Sequence, residues 1–280
     1  MPGRLSLVAT PIGCLEDITL RALRVLGEAD LILAEDTRRT RTLCAKHEIN
    51  TPLRSFHAHT GEEKIATIVD ELSVGAHYAL VSDAGTPVVS DPGAYLVSRA
   101  AAIGIEVEAI PGPSAVLAAL CVAGLPVRRF TFEGFLPRGG SERKRALERV
   151  GSSDCSVVLF ESPHRIHATL RDLETHVGSD RSIALCRELT KMHEETIRGS
   201  LAEVRDRLSD PAKGEITIVI DGKPPDEPLE DVDLDAIVTE WQREGLTTKE
   251  MARRLQVDFG WKRKTAYQAV LDARARGDDS

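Results

Sequence analysis

Short apolar segments alternate with stretches of helical periodicity through the first half of the chain, and this alternation limits the possible folds more than any other feature. The predicted strands are residues 5–9, 30–36, 52–56, 77–83 and 105–110. The segments between them predict helices, two of which should be capped by Asp17 and Asp91. Strands that alternate with helices of this length predict a parallel sheet covered on both faces.

The second half of the chain predicts another sheet. Its predicted strands are residues 129–135, 156–162, 182–189, 194–200 and 215–222. A helix over 164–177 separates the second strand from the third, whereas only a short turn separates the third from the fourth. The sheet should therefore be mixed. The predicted fold class is α/β, with a parallel-sheet N-terminal domain and a mixed-sheet second domain.

A proline-rich, acidic segment at 223–231 predicts a linker. We therefore predict α/β domains at 1–120 and 121–222 and a small helical extension at 232–280. Thr247 and Glu250 have the spacing of a capping box in that extension. The predicted apolar stripes of its last two helices are Met251, Ala252 and Leu255, then Tyr267, Val270 and Leu271.

Composition excludes several classes of protein. The net charge of −8 argues against a chain that coats nucleic acid with its whole surface, although a local basic patch remains possible. The five cysteines are scattered and odd in number, which is typical of a reducing cytosol and indicates no metal site. No apolar run reaches the roughly 18 residues of a membrane span, so we expect a soluble, cytoplasmic protein.

Four loops at predicted strand ends combine Gly or Pro with small polar residues: 10–13, 82–93, 111–115 and 161–165. Ligands of open α/β sheets bind at the carboxyl ends of the strands. Any one of these loops could be only a tight turn, but four at equivalent ends favour a binding site. The phosphate-binding patterns GxxxxGK[ST] and GxGxxG are absent. Because Asp83 offers an anion, we expect a hydroxyl-rich or partly cationic ligand.

Eight ordered motifs between residues 4 and 222 carry a family resemblance. They are LVATPIGCLEDITLRAL, AEDTRRTRTL, LVSDAGTPVVSDPG, IPGPSAVLAAL, FTFEGFLPR, LFESPHRI, RELTKMHEE and GEITIVI. Together they closely resemble the bacterial 16S ribosomal RNA cytidine 2′-O-methyltransferases of the tetrapyrrole methylase superfamily. The segment beyond residue 232 is similar to that family's helix-turn-helix-like extension. Cys14 departs from the pattern, because the family usually has Asn there.

The resemblance implies two α/β domains with S-adenosylmethionine in the cleft between them, and a homodimer. The residues that it implies for donor binding are Pro11, Gly13, Asp83, Gly85, Thr86, Ser114, Ala115, Phe160 and Glu161. Methyl transfer from a sulfonium is an in-line displacement, which by its chemistry needs no metal or second cofactor. Positioning of the acceptor can supply up to roughly 7–11 kcal/mol of the barrier reduction.

A general base should assist the acceptor hydroxyl, by about 10²–10⁴-fold. The predicted catalytic group is the cluster of Glu35, Asp36 and Arg38 together with His57. Asp36 could instead cap the next helix, and His57 could be an ordinary surface histidine. Further candidates stay open: His164, Glu188, which could pair with Arg187 or Arg165, and Lys191, which could lie on a solvated strand edge.

Three basic regions are predicted to bind RNA. The first holds Arg39 and Arg41. The second is 137–145, predicted to be a flexible glycine loop, with Arg138, Arg143, Lys144 and Arg145. The third is the C-terminal extension with Lys262, Arg263 and Lys264; from Arg243 to Arg276 nine Lys and Arg face four Asp and Glu, a local charge of +5. A solvated helix face is the alternative, and Trp241 and Trp261 should be core residues.

Two other functions compete with RNA methylation. A sister enzyme of the superfamily could act on a tetrapyrrole or a diphthamide precursor, although a small substrate would need neither the basic extension nor the 137–145 region. A non-catalytic RNA-binding assembly factor could keep the donor as a structural ligand. The intact loops favour the enzyme.

Overall fold

The computed structural model describes residues 3–223, 234–259, 261 and 263–278. All but one residue of the predicted linker at 223–231 and the predicted RNA-binding Lys262 lie outside these residues. The described residues form two compact units. Unit 1 contains the residues up to Val122, with Cys186–Glu195 and Gly214–Thr217; unit 2 contains Ala123–Leu185, Thr196–Lys213 and the residues from Ile218 onward.

The first sheet has five strands in the order β3-β2-β4-β1-β5. They are β1 (Arg4–Val8), β2 (Leu31–Ala34), β3 (Leu53–Ser55), β4 (His77–Val81) and β5 (Glu106–Ile110). Each neighbouring pair is parallel, which confirms the predicted parallel sheet. The carboxyl ends of β1, β2 and β4 therefore meet at one edge, where the predicted loops begin.

Helices cover both faces of this sheet. They are α1 (Leu20–Glu28), α2 (Thr37–Lys46), α3 (Glu62–Ser73), α4 (Ala94–Ala102) and α5 (Ala115–Val122), with a 3₁₀ turn at Leu15–Asp17. Successive strand residues alternate between the two cores, since Leu33 packs on one face and Ile32 on the other. The central strands β2 and β4 are buried on both sides, which is why they are almost continuously apolar, whereas the edge strands β3 and β5 carry charged residues.

Two predicted helix caps are wrong. Thr19, not Asp17, caps α1: its hydroxyl accepts a hydrogen bond from the amide of Ala22 at 3.1 Å, and Asp17 ends the preceding 3₁₀ turn. Helix α4 begins only at Ala94, after Gly93 with a φ of 132°. This left-handed turn, which favours glycine, separates Asp91 from the helix.

The second sheet also has five strands, in the order β6-β7-β10-β8-β9. They are β6 (Phe130–Phe135), β7 (Ser156–Glu161), β8 (Ser182–Arg187), β9 (Glu195–Ser200) and β10 (Ile216–Ile220). As predicted, this sheet is mixed. The edge strand β6 pairs in parallel with β7, with an irregularity between Phe132 and Gly134.

Three helices accompany this sheet: α6 (Gly140–Ser152), α7 (Ile166–Val177) and α8 (Leu201–Arg207). The prediction of a flexible loop over 137–145 is therefore wrong from Gly140 onward. The two glycines indicated a loop, but Ala146, Leu147 and Val150 give the following residues a buried apolar face. The short α8, which was not predicted, begins at a capping box of Ser200 and Glu203.

The C-terminal helices are α9 (Leu234–Arg243), α10 (Thr248–Phe259) and α11 (Arg263–Asp278). The predicted capping box is confirmed, because the Thr247 amide donates to Glu250 Oε2 at 2.8 Å and the Glu250 amide to Thr247 Oγ1 at 3.3 Å. Both tryptophans are buried in the core of this region, also as predicted. None of the helices among the described residues has the length and hydropathy needed to cross a membrane.

The predicted apolar stripe of α11 is wrong in two of its three positions. Val270 is fully buried, but Tyr267 is 46% exposed and Leu271 is 40% exposed. The buried face is instead Ala266, Val270 and Ala273, which also follows a helical period. The two small alanines are buried while the larger side chains face solvent.

Candidate functional site

A cavity of about 280 Å³ lies in unit 1 at the carboxyl ends of β1, β2 and β4. Ligands of open parallel sheets bind at this edge. The lining comes from the loop after β1, the turn after β4, helix α2 and two later segments. Its residues are Thr10, Pro11, Ile12, Gly13, Leu15, Arg39, Thr40, Thr42, Leu43, Ser82, Asp83, Ala84, Lys191 and Glu215.

Backbone hydrogen bonds join the first two loops into one wall. The Thr10 amide donates to the Gly85 carbonyl at 2.9 Å, and the Gly85 amide donates to the Thr10 carbonyl at 3.0 Å. Gly85 has a φ of 79°, a conformation that favours glycine. The predicted donor residues Pro11, Gly13 and Asp83 thus lie together on the cavity wall.

Gly13 is required because another segment packs directly against it. A Cβ at this position would lie 2.5 Å from Lys191 Cγ and 2.6 Å from Thr190 Oγ1. The neighbouring Cys14 donates its backbone amide to the same Thr190 oxygen at 3.1 Å. This contact uses the backbone of Cys14, so it does not depend on the side chain at that position.

Asp83 is a fixed anion in the wall. Its Oδ1 accepts a hydrogen bond from the Asp36 amide at 2.8 Å, and its Oδ2 lies 3.6 Å from Arg39 Nη1. The side chain remains 30% exposed. Asp83 therefore links the ends of β2 and β4 and still presents negative charge to the cavity.

Asp36 acts as the N-cap of α2, the alternative that the sequence left open. Its Oδ1 accepts from the amide and Nε of Arg38 at 2.8 and 3.0 Å, and its Oδ2 from Nη2 at 2.7 Å. The hydrogen bonds from Arg38 hold the pKa of Asp36 well below its usual range. A carboxylate so occupied and so acidic is a weak proton acceptor.

Glu35 has the opposite electrostatic environment. Burial raises the pKa of its carboxyl, and so do the negative charges of Asp83 and Asp91, while Arg39 opposes them. A raised pKa makes a carboxylate a better base near neutral pH. Glu35 is not itself part of the cavity lining, but it directly precedes the Asp36 amide that binds Asp83.

His57 follows β3 and is exposed. Its Nδ1 accepts a hydrogen bond from the His59 amide at 3.2 Å, and its own amide donates to Thr60 Oγ1 at 2.9 Å. The lining of the cavity does not include it. The structure therefore brings Glu35, Asp36 and Arg38 together at the end of β2 and leaves His57 in a separate turn.

A second cavity, about 310 Å³, holds another of the predicted donor residues. Ser114 lines it, together with Gly112, Pro113 and others. Ile12 lines both cavities, so the loop after β1 forms a wall of each. Thr86 links the turn after β4 to the lining of the second cavity, because its hydroxyl donates to the Pro113 carbonyl at 3.3 Å. Ala115 is the first residue of α5.

The remaining predicted donor residues, Phe160 and Glu161, lie at the end of β7 in unit 2. Glu161 is only 2% exposed, and its carboxylate accepts from the Thr169 hydroxyl at 2.6 Å and the Ser162 amide at 2.8 Å. Phe160 packs edge-on against Phe132, with 4.8 Å between ring centroids. The Glu161 side chain thus joins β7 to α7.

The predicted RNA-binding cations differ in exposure. Arg143 is a structural residue: its side chain is only 12% exposed, lies 2.7 Å from the Asp172 carboxylate and donates to the Pro137 carbonyl. Lys144 is 74% exposed and lies 3.8 Å from Glu148. The exposed members of the set are Arg39, Arg41, Arg138, Lys144, Arg145, Arg263 and Lys264.

The sequence pattern gave no indication of Glu215, because it places this residue at the start of a strand. Lys191 Nζ lies 2.8 Å from Glu188 Oε1 and 3.0 Å from Glu215 Oε2. Glu188 forms a salt bridge with Lys191, whereas Arg187 forms one with Glu195 and Arg165 forms one with Glu161. The pKa of Glu188 is lowered chiefly by the Lys191 hydrogen bond.

The sequence matches the family of Tetrapyrrole (Corrin/Porphyrin) Methylases over residues 4–205. Two relatives are both named Ribosomal RNA small subunit methyltransferase I. The protein of Thermotoga maritima is 48% identical over 79% of this chain and 99% of its own length. The protein of Haemophilus influenzae is 39% identical over 97% of both chains.

Solved structures share the fold. A cobalt precorrin-4 methyltransferase has a TM-score of 0.61 at 20% identity and covers 78% of this chain and 94% of its own. Diphthine synthase has the same TM-score at 17% identity, covering 79% and 90%. Uroporphyrin-III C-methyltransferase from Thermus thermophilus, complexed with S-adenosylhomocysteine, has a TM-score of 0.56 at 21% identity, covering 78% and 97%.

Proposed function

The chain belongs to the ribosomal RNA small subunit methyltransferase I family, within the tetrapyrrole methylases, and from that premise we propose its reaction. It transfers a methyl group from S-adenosylmethionine to the ribose 2′-hydroxyl of a cytidine in small-subunit (16S) ribosomal RNA. The observation that carries this proposal is the alignment of such relatives across almost the whole chain, 97% for the Haemophilus influenzae protein.

The residues around the two cavities fit the chemistry of the donor. S-adenosylmethionine carries ribose hydroxyls, an ammonium and a sulfonium, which favour hydrogen-bond acceptors and negative charge. Asp83 presents a carboxylate to the first cavity, and Gly13 lets the loop after β1 lie close to its neighbours. Ser114 offers a hydroxyl in the second cavity, next to the shared wall residue Ile12.

When bound, the sulfonium supplies an activated methyl group. The task left to this chain is to hold the acceptor hydroxyl and to accept its proton. Glu35 is the proposed proton acceptor because it directly precedes the amide that binds Asp83 at the cavity wall, and because burial and the charges of Asp83 and Asp91 raise the pKa of its carboxyl. Asp36 and Arg38 serve instead to cap α2 and to fix the amide that binds Asp83.

The C-terminal helices are proposed to add affinity for RNA rather than chemistry. The Thermotoga maritima relative aligns over 99% of its own length but covers only 79% of this chain, so about a fifth of the chain has no counterpart in it. The region from Arg243 to Arg276 carries a local charge of +5. Basic surfaces of this kind bind phosphate backbones.

As part of the same proposal, the protein acts as a homodimer in the cytoplasm on the small ribosomal subunit. The test uses the purified protein, donor with a labelled methyl group, and small subunits from a strain that lacks the endogenous enzyme. Free ribosomal RNA and a porphyrinogen run in parallel. We expect label in 2′-O-methylcytidine by mass spectrometry of the nucleosides.

Two outcomes would contradict the proposal. Label on the porphyrinogen alone would assign the chain to tetrapyrrole methylation, the chemistry of several solved structures with this fold. Binding of the donor without transfer to any RNA would favour a non-catalytic assembly factor.

A further inference from the structure

One lysine and two glutamates meet at one side of the first cavity, and none of the roles above uses them. Lys191 and Glu215 line the cavity. Glu188 stands behind them: its Oε1 accepts from Lys191 Nζ at 2.8 Å and also from the Glu215 amide at 2.9 Å. All three belong to unit 1, although they come from segments separated from α2 by more than a hundred residues.

The backbone holds Lys191 in place. Glu188 and Thr190 have φ values of 53° and 63°, in the left-handed region that non-glycine residues seldom adopt. The Lys191 amide closes this turn on the Glu188 carbonyl at 2.9 Å, and the Cys14 amide holds Thr190 Oγ1 at 3.1 Å. Strained turns of this kind are maintained where a side chain must be aimed.

The charge of this cluster disfavours a phosphate as its ligand. It has two carboxylates and one ammonium, so its net charge is negative and it repels an anion. Burial alone would lower the pKa of Lys191, but the hydrogen bonds to Glu188 and Glu215 outweigh burial and raise it. Lys191 therefore remains a hydrogen-bond donor at neutral pH.

The pair presents one acceptor and one donor side by side. An ammonium has three N–H groups, of which two are directed to Glu188 and Glu215, so one is left for a ligand. Within the described residues, Glu215 Oε1 has no hydrogen-bond partner, and the side chain is 65% exposed. A neutral ligand with an adjacent donor and acceptor matches this arrangement.

Part of the cavity lining offers apolar surface on which an aromatic ring could pack. Ile12, Leu15 and Leu43 supply aliphatic surface in its lining. Its volume of about 280 Å³ is just below the roughly 300–1,000 Å³ of pockets for drug-sized ligands. A single nucleobase is smaller than such ligands, and RNA-binding proteins read unstacked bases by hydrogen bonds to their Watson–Crick edges.

We propose that Glu215 and Lys191 bind the Watson–Crick edge of the acceptor base and select cytosine over uracil. Glu215 accepts the N4 amine of cytosine, and Lys191 donates to its N3. In uracil, O4 would face the carboxylate and the N3–H would face the ammonium, so both contacts would become unfavourable. This inference rests on the proposed function, which supplies a pyrimidine nucleotide as the acceptor.

The test compares small subunits that carry cytidine or uridine at the methylated position. For the wild type we expect a higher kcat/KM with cytidine. One good pair of base contacts discriminates by roughly 5- to 150-fold, and Glu215→Gln and Lys191→Met should remove most of that ratio. Donor affinity is measured by calorimetry in the same variants, because Lys191 and Glu215 line the cavity that also holds the proposed donor residues Gly13 and Asp83.

Matched controls are Glu106→Gln, at the start of β5, and Lys64→Met, in α3; both residues are exposed. These should keep the wild-type preference for cytidine. Lys191→Arg, which keeps the charge, shows whether a folded variant can retain the preference, and thermal melting reports whether each variant folds.

Three results would overturn the inference. The first is an unchanged cytidine-to-uridine ratio in folded Glu215→Gln and Lys191→Met protein, which would leave the cluster a structural role. The second is weaker donor binding with an unchanged ratio, which would make the pair a donor contact. The third is a wild type that methylates neither RNA; this alone would also defeat the proposed function.

Discussion

The amide of Asp36 donates a hydrogen bond of 2.8 Å to Oδ1 of Asp83, across 47 residues of sequence. This bond joins the end of β2 to the end of β4. One contact therefore links the segment of the proposed base, Glu35, to Asp83, the carboxylate proposed to bind S-adenosylmethionine. Glu35 immediately precedes the donating amide, and Asp83 is one of the charges that raise its pKa. The hydrogen bond that fixes Asp83 therefore also keeps its negative charge near Glu35, where it raises the pKa of the Glu35 carboxyl.

Asp83→Ala should abolish detectable donor binding if the carboxylate holds the donor. Asp83→Asn should be milder, because the amide oxygen can still accept from Asp36 while the charge is lost. Hydrogen bonds to charged groups contribute about 1.5–3 kcal/mol, so we expect roughly 10- to 150-fold weaker binding for Asp83→Asn by calorimetry. Asp70→Asn, on the surface helix α3, is the control. Retained methylation by Asp83→Ala would rule out this assignment.

Glu35→Gln should lower single-turnover methyl transfer by about 10²–10⁴-fold while donor affinity is retained, since it removes the proton acceptor. Asp36→Ala should instead reduce stability, by about 0.5–2 kcal/mol for loss of an N-cap, as seen in thermal melts. If Asp36→Asn loses as much chemistry as Glu35→Gln does, the roles assigned to these two carboxylates are wrong.

The pH dependence of the methyl-transfer rate should show the titration of the Glu35 carboxyl. A base must be deprotonated to act, so the rate should fall as the pH drops through its pKa. Because burial and the charges of Asp83 and Asp91 raise that pKa, the fall should begin at a higher pH than for an ordinary glutamate. The inflection should disappear in Glu35→Gln. An inflection that persists in this variant would assign the proton to another group.

Much of the fold follows from local pattern, because buried parallel strands are continuously apolar and their helices are periodic. The wrong predictions occur where tertiary packing, rather than the local sequence pattern, determines the structure. Residues 140–145 contain glycine and many charges, which indicates a loop, yet Ala146, Leu147 and Val150 anchor them in α6. Tyr267 has the period of a core residue, but the smaller Ala266 and Ala273 occupy the core.

The candidate site was predictable in its loops and not in its side-chain pairs. Gly13, Asp83 and Ser114 stand next to strand ends, so the rule for parallel sheets places them near a ligand. Nothing in the sequence pairs Lys191 with Glu215, because that contact depends on the turn at 188–191 and on the path of the chain between two strands. Likewise, the pattern cannot show that Asp36 uses both oxygens on Arg38.

Gly13→Ala should disturb the site without touching a charge. Its Cβ would lie 2.5 Å from Lys191 Cγ and 2.6 Å from Thr190 Oγ1, so the turn at 188–191 must move. Overpacking of this kind costs about 1–3 kcal/mol, measurable as a lower midpoint in urea, and we expect a loss of activity with it. Gly27→Ala is the matched control, since a Cβ there meets nothing within 4 Å. In α1 it should stabilise the protein by roughly 0.5–1 kcal/mol. Equal behaviour of the two variants would show that the close approach at Gly13 does not matter.

The exposed face of α11 offers the last prediction. Tyr267 is 46% exposed and follows the exposed Arg263 and Lys264 by four and three residues in α11, so the three residues share one face of the helix. Stacking of a base on such a ring contributes about 1–3 kcal/mol to binding. Each phosphate of single-stranded RNA that the protein neutralises contributes roughly −0.7 to the slope of log K against log salt. Tyr267→Ala should therefore weaken RNA binding with an unchanged salt slope.

A double change of Arg263 and Lys264 to Gln should flatten the slope and leave donor affinity intact. Lys64, exposed on α3 of unit 1, provides the control substitution to Gln. If the double variant keeps the wild-type slope, the phosphates are bound elsewhere, and Arg39, Arg41 and Arg138 become the next residues to substitute.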